Sequence, residues 1–119
     1  MYKLFQIRLT DAEVDQVNET GHDSVPKQKL RLDLQFDKGD FSTLVAEGFD
    51  KGYYRHVANI TAYDLEDVFR IGNCGPESAI NRLLPMHSVS VGDVVEDSDG
   101  TKHLVAGVGF KKVDIKVFA

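Results

Sequence analysis

Alternation with a period of two constrains this chain more than any other feature. Over residues 29–36, Leu30, Leu32, Leu34 and Phe36 alternate with Lys29, Arg31, Asp33 and Gln35. Successive side chains of a strand point to opposite faces, so the run reads as a strand with one face buried and one wet. Half-wet strands favour an antiparallel sheet. The same reading gives a first strand over 2–9, with Phe5, Ile7 and Leu9 on one face and Gln6 and Arg8 on the other. Tyr53 to Thr61, rich in aromatic and β-branched residues, is another strand. Ser88 to Glu96 and Thr101 to Val108 flank Asp97-Ser98-Asp99-Gly100 as a hairpin. Gly107 and Gly109 suggest a bulge or close backbone approach near the sheet edge. Val113, Ile115 and Val117 alternate in a last strand.

Helices fall between these runs. Thr10 and Glu13 have capping-box spacing, which starts a short surface helix to about Asn18. Residues 19–28, polar and containing Gly21 and Pro26, read as a mobile loop. Asp37-Lys38-Gly39-Asp40 is a turn, and Asp40 caps a helix from Phe41 to about Glu47 that places Phe41, Leu44 and Val45 on one face. A cap at Thr61–Asp64 opens another helix to about Ile71, with Leu65, Val68 and Phe69 as its stripe and acids in its first turns. Gly72-Asn73-Cys74-Gly75 reads as a tight loop. Pro76 then starts a short helix that packs Ile80, Leu83 and Leu84 inward and stops at Pro85. The sum is one α+β domain over residues 1–119, with a mainly antiparallel sheet of about five to six strands and about three to four short helices.

The chain has 119 residues, enough to bury a core without disulfide or metal staples. A single cysteine, Cys74, excludes an internal disulfide and favours a reducing compartment. The N-terminus has no long apolar run, so neither a signal peptide nor a membrane segment is expected, and a cytoplasmic setting follows. The net charge of −5 disfavours non-specific binding to a nucleic-acid backbone.

No catalytic, metal or cofactor constellation stands out. Cys74 precedes the helix start expected at Pro76, and His56 or His87 is a candidate base, yet no signature surrounds the thiol. His22, His56, His87 and His103 lack the spacing that puts two ligands on one helical face, although His56 and His103 can meet across strands. Asp97–Gly100 does not fit a calcium loop, and Gly72–Gly75 lacks the lysine and hydroxyl of a phosphate loop. Two surfaces remain. The acidic stretch holds Asp64, Glu66, Asp67, Asp93, Glu96, Asp97 and Asp99, and suits a basic protein partner. The basic-aromatic residues Tyr53, Tyr54, Arg55, Phe110, Lys111 and Lys112, with Lys116 nearby, suit nucleic acid if they share one exposed face. An exposed edge at 29–36 also leaves a homodimer open.

Three segments carry a family resemblance. They are Tyr2-Lys3-Leu4-Phe5-Gln6-Ile7, then Tyr63-Asp64-Leu65-Glu66-Asp67-Val68-Phe69-Arg70, and above all His87-Ser88-Val89-Ser90-Val91-Gly92-Asp93-Val94-Val95 with His103-Leu104-Val105 and Gly109-Phe110-Lys111-Lys112-Val113. Their order and spacing resemble the YodL-like domain of phage, plasmid and conjugative-element proteins, mainly over residues 60–115. Gly92 stands where that family commonly has a serine, and 75–86 reads as longer and more helical. The resemblance implies a small accessory protein in a bacterial cytoplasm and transfers no catalytic residue. Together with the missing chemistry, it points to a non-enzymatic module that binds another protein, a host factor being one candidate.

Overall fold

Strand β1 (Tyr2–Ile7) is the centre of the molecule, in a computed structural model that describes residues 1–36 and 38–113. It pairs antiparallel with β2 (Tyr54–Ile60) on one side and with β4 (Val94–Glu96) on the other. Beyond β2 lies β3 (Ile80–Arg82), and beyond β4 lie β5 (Lys102–Val105) and β6 (Phe110–Lys112). The six strands form one antiparallel sheet in the order β3-β2-β1-β4-β5-β6. Four α-helices accompany it among the described residues: α1 (Asp11–Thr20), α2 (Pro26–Gln35), α3 (Phe41–Asp50) and α4 (Leu65–Cys74). The class is α+β.

Each face of the sheet has its own core. Val68 and Ile71 of α4 pack with Leu4, Ala58, Ile60, Val95 and Val105 on one face. Leu30 and Leu34 of α2 and Val45 of α3 pack with Ile7, Tyr54, Val94 and Leu104 on the other. The expected parity of Phe5 and Ile7 holds, but the opposite face is not wet. Leu4 and Gln6 are both fully buried, because α4 and the loop from Leu83 to Asp93 cover that side.

The alternating run 29–36 is helical, which corrects the strand expected there. Pro26 occupies the first turn, where its missing amide costs nothing. Leu30 and Leu34 are the buried pair, four residues apart, and Lys29 and Asp33 form an ion pair at the same spacing, 3.1 Å. Residues 26–36 hold no β-branched residue, and their Lys, Gln, Leu and Arg are good helix formers. That composition outweighs the alternation. The strand-edge dimer loses its basis with it. Residues 19–28 are mostly ordered structure too: the end of α1, a 3-10 turn at His22–Ser24, and the start of α2.

Two further expectations change. The helix expected after Pro76 is a 3-10 turn (Glu77–Ala79) followed by β3. Ile60 pairs with Ile80 and Ala58 with Arg82, so the edge of β2 captures the segment. Leu83 and Leu84 do not pack inward; both are exposed, and their amides donate to the Val57 carbonyl. Within 88–96 only Val94–Glu96 is strand, because Ser90–Asp93 is a turn closed by the Asp93 amide on the Ser90 carbonyl at 3.0 Å. Gly107 and Gly109 belong to the turn between β5 and β6, where Ala106 donates to the Gly109 carbonyl.

Gly72, Asn73 and Cys74, expected in a tight loop, are the last turn of α4, which Gly75 caps. The other caps and turns stand as read. Thr10 and Glu13 form the capping box, and Asp40 accepts from the Thr43 amide. The β4–β5 turn is held by the Asp97 carboxylate, which accepts from the amides of Asp99 and Thr101. Asp37 of the expected turn, and Ile115, Lys116 and Val117 of the expected last strand, lie outside the described residues.

Candidate functional site

Antiparallel pairing fixes which residues share an end of the sheet. Tyr2 faces Ile60 and Lys3 faces Glu96. The start of α4 and the β4–β5 turn therefore lie at the end where β1 begins. Most of the candidate acids sit there, but their roles differ.

Asp64 caps α4, its carboxylate accepting from the Asp67 amide at 2.8 Å. Asp67 reaches back to the Tyr63 amide at 3.0 Å and pairs with Arg70. Those contacts, the Tyr63 amide first, hold its carboxyl below the usual range. Glu66 lies between them, exposed and with no ion pair among the described residues. It lines two neighbouring depressions. One, of about 380 Å³, is polar and lies with Tyr63, Asp64, Asp67 and Arg70. The other, of about 280 Å³, runs between α4 and the β5–β6 turn and is lined by Phe69, Val105, Ala106 and Phe110. Tyr63 is 95% exposed, Val108 at the tip of that turn is 95% exposed, and Phe69 is 43% exposed. A carboxylate thus stands beside two uncovered aromatic side chains, Tyr63 and Phe69.

The other acids are committed to the fold or stand apart. Asp93 is buried and leaves the surface set altogether. Its carboxylate accepts from Gln6 Nε2 at 3.0 Å and from the Ser90 amide at 2.9 Å. Glu96 pairs with Lys102 at 3.1 Å and Lys3 at 3.7 Å. Asp97 pairs with His103 Nε2 at 2.9 Å, which with the turn amides draws its carboxyl down. Asp99 is exposed at the turn.

The basic-aromatic residues do not form one face. Tyr54 is buried, stacked on Phe49, with its hydroxyl donating to the Gly92 carbonyl at 2.7 Å. Burial raises its phenol far above the usual range. Tyr53 is half-buried with Lys51 over its ring, and Arg55 is exposed. Phe110 packs against the α4 core. Lys111 lies over Phe41, and Lys112 is exposed. β2 and β6 are four strand spacings apart in the sheet, about 19 Å.

Cys74 and His87 line one polar cleft of about 520 Å³, with Glu77 and Arg82. Cys74, however, ends α4 instead of preceding a helix. His87 Nδ1 lies 2.8 Å from the Ser88 carbonyl, and burial lowers the ring's pKa. No hydrogen bond joins it to the thiol among the described residues. His56 stacks on Phe5 and bonds Asn59, while His103 lies on β5 with β1 and β4 between them, so the two do not meet. Among the described residues no three His, Cys, Asp or Glu side chains cluster as metal ligands, and no helix is long and apolar enough to cross a membrane.

Gln6 is the residue that sequence reasoning missed. It was expected on a wet face, yet its amide joins β1 to the His87 carbonyl and to Asp93. Its polarity opposite Asp93 is a signal only once the pairing is known. No protein-family model, curated protein or solved structure matches the chain.

Proposed function

We propose that this chain is a small, non-enzymatic accessory protein of the phage or mobile-element type that acts in the cytoplasm by binding another protein. One observation carries the interaction reading: Glu66 has no ionic partner among the described residues and lines depressions with the exposed Tyr63 and Phe69. Water-exposed apolar side chains gain roughly 1.5–3 kcal/mol each when fully covered. Tyrosine is a frequent anchor at protein interfaces. The matching partner surface is basic at its centre and apolar around it, and a host factor of that kind fits. The genetic setting rests on the resemblance of residues 60–115 to the YodL-like domain.

The test is capture from nuclease-treated bacterial lysate on immobilised protein, against the variant Asp64→Asn/Glu66→Lys. Asparagine keeps the helix cap. A stoichiometric protein retained by the natural chain and lost by the variant is the expected result. Equal retention by both would remove this surface. Recovery of nucleic acid alone in a parallel capture without nuclease would favour the nucleic-acid reading instead, through the exposed Arg55 and Lys112.

A further inference from the structure

The end of the β1–β2 ladder opposite Glu66 carries a complementary surface. Ile7 faces Tyr54 and Gln6 faces Arg55, so Arg8 and Arg55 lie together where β1 ends and β2 begins. Both are exposed. Arg70 and Arg82 are paired with carboxylates, but Arg8 and Arg55 form no ion pair among the described residues. They border a groove of about 400 Å³ that also contains Leu9, Val57, Leu84 and Pro85, with Asp11 on its rim. Leu84 is 39% exposed and the adjacent Leu83 is 48% exposed. In a chain of net charge −5, two uncommitted guanidinium groups beside an apolar floor are an unusual grouping.

We propose that the partner of the Glu66 surface is a second copy of this chain, presenting its Arg8–Arg55 groove. The inference rests on the interaction reading above and names its partner. Asp64 and Glu66 would meet Arg8 and Arg55, and Tyr63 and Phe69 would meet Leu84 and Pro85. Bidentate arginine–carboxylate pairs suit that contact. The two surfaces lie at opposite ends of one six-residue ladder, about 17 Å apart along the strands, so one molecule cannot join its own. Contact between unlike surfaces of two copies leaves one of each free, and the assembly grows head to tail. Depressions of this size make a small interface, so association is weak, with a dissociation constant of roughly 10–100 μM.

Sedimentation of the full chain from about 10 μM to about 1 mM, spanning that constant, tests it. The average mass should climb with concentration beyond a dimer. Arg8→Gln/Arg55→Gln and Asp64→Asn/Glu66→Lys should each be monomeric alone, with unfolding midpoints showing that both fold. Mixed in equal amounts, the two variants should give a heterodimer that grows no further, since only one intact surface of each kind remains. A natural chain that stays monomeric throughout overturns the proposal. So does association that either variant retains, or a mixture that does not pair. Binding of a short Lys- and Leu-rich peptide, lost on Glu66→Lys, by a chain that stays monomeric would refute self-association and leave the interaction reading intact. Self-association with no peptide binding would tie the surface to this partner alone.

Discussion

Asp93 shows how far a single residue can depart from the surface role its charge suggests. Burial pushes its carboxyl up to about 7, opposed by the Ser90 amide, the Gln6 amide and Arg31. In the unfolded chain an aspartate titrates near 3.9. The folded state therefore keeps a proton that the unfolded state has lost, and stability falls as pH rises from about 4 to about 7. The full effect is on the order of 4 kcal/mol, since each pKa unit corresponds to about 1.4 kcal/mol. His87 acts in the other direction. Its lowered pKa means that stability is lost as pH falls below its unfolded value of about 6.5. The difference between Asp93→Asn and the natural protein isolates the carboxyl. Urea unfolding across that range should show the variant gaining relative stability up to about pH 7 and holding it above. Parallel curves would mean that Asp93 does not titrate there. Gly72 makes a second residue-scale case. A Cβ on Gly72 would lie 2.1 Å from Val89 Cγ2. Gly72→Ala should cost about 1–3 kcal/mol despite the better helix propensity of alanine. Adding Val89→Ala should restore part of that loss, a coupling visible in a thermal double-mutant cycle.

Helix α2 makes the argument at the scale of an element. A strand over 29–36 would bury Leu30, Leu32 and Leu34 alike, whereas the helix buries Leu30 and Leu34 and leaves Leu32 half-covered. Alanine at Leu30 or Leu34 should each cost roughly 2–5 kcal/mol, and alanine at Leu32 clearly less. Three equal losses in chemical denaturation would restore the strand. Helix α4 was legible through its cap and through Leu65 and Val68, because those signals are local, but the third residue expected in its stripe, Phe69, is 43% exposed and Ile71 takes its place in the core. β3 was not legible. Ile80-Asn81-Arg82 has no pattern of its own and becomes a strand because the edge of β2 offers unpaired backbone groups. The candidate site shows the same division. Glu66 was named from sequence, but its apolar setting with Phe69, Val105 and Phe110 depends on bringing the β5–β6 turn against α4.

Across the whole molecule, cover on both faces makes β1 the most protected element. It is hydrogen-bonded on both edges and holds Leu4 and Gln6 fully buried. α1 buries no residue and depends mainly on its capping box and the Lys27–Glu13 pair at 3.0 Å. Hydrogen exchange should therefore be slowest at the amides of Leu4 to Ile7 and fastest, among the helices, in α1. Equal protection of α1 and β1 would contradict this distribution of the core. The two candidate binding surfaces occupy opposite ends of the same central ladder, so the sheet sets their separation rigidly. Contact between these unlike ends of two copies is head-to-tail, not a symmetric pairing of one surface with itself.

The sequence by itself determined the features that depend on neighbours along the chain. The α+β class, the caps at Thr10, Asp40 and Asp64, and the Asp97–Gly100 turn are fixed by side chains a few residues apart. Only the tertiary structure decided the rest. Leu30 to Phe36 fits two periodicities, and the core on the α2–α3 face selects the helical one. Asp93, Gln6 and Tyr54 lost their access to water because distant segments closed over them. Arg8 and Arg55 became neighbours through antiparallel pairing across 46 residues of intervening sequence. Burial and long-range register are properties of the folded chain, and no local pattern encodes them.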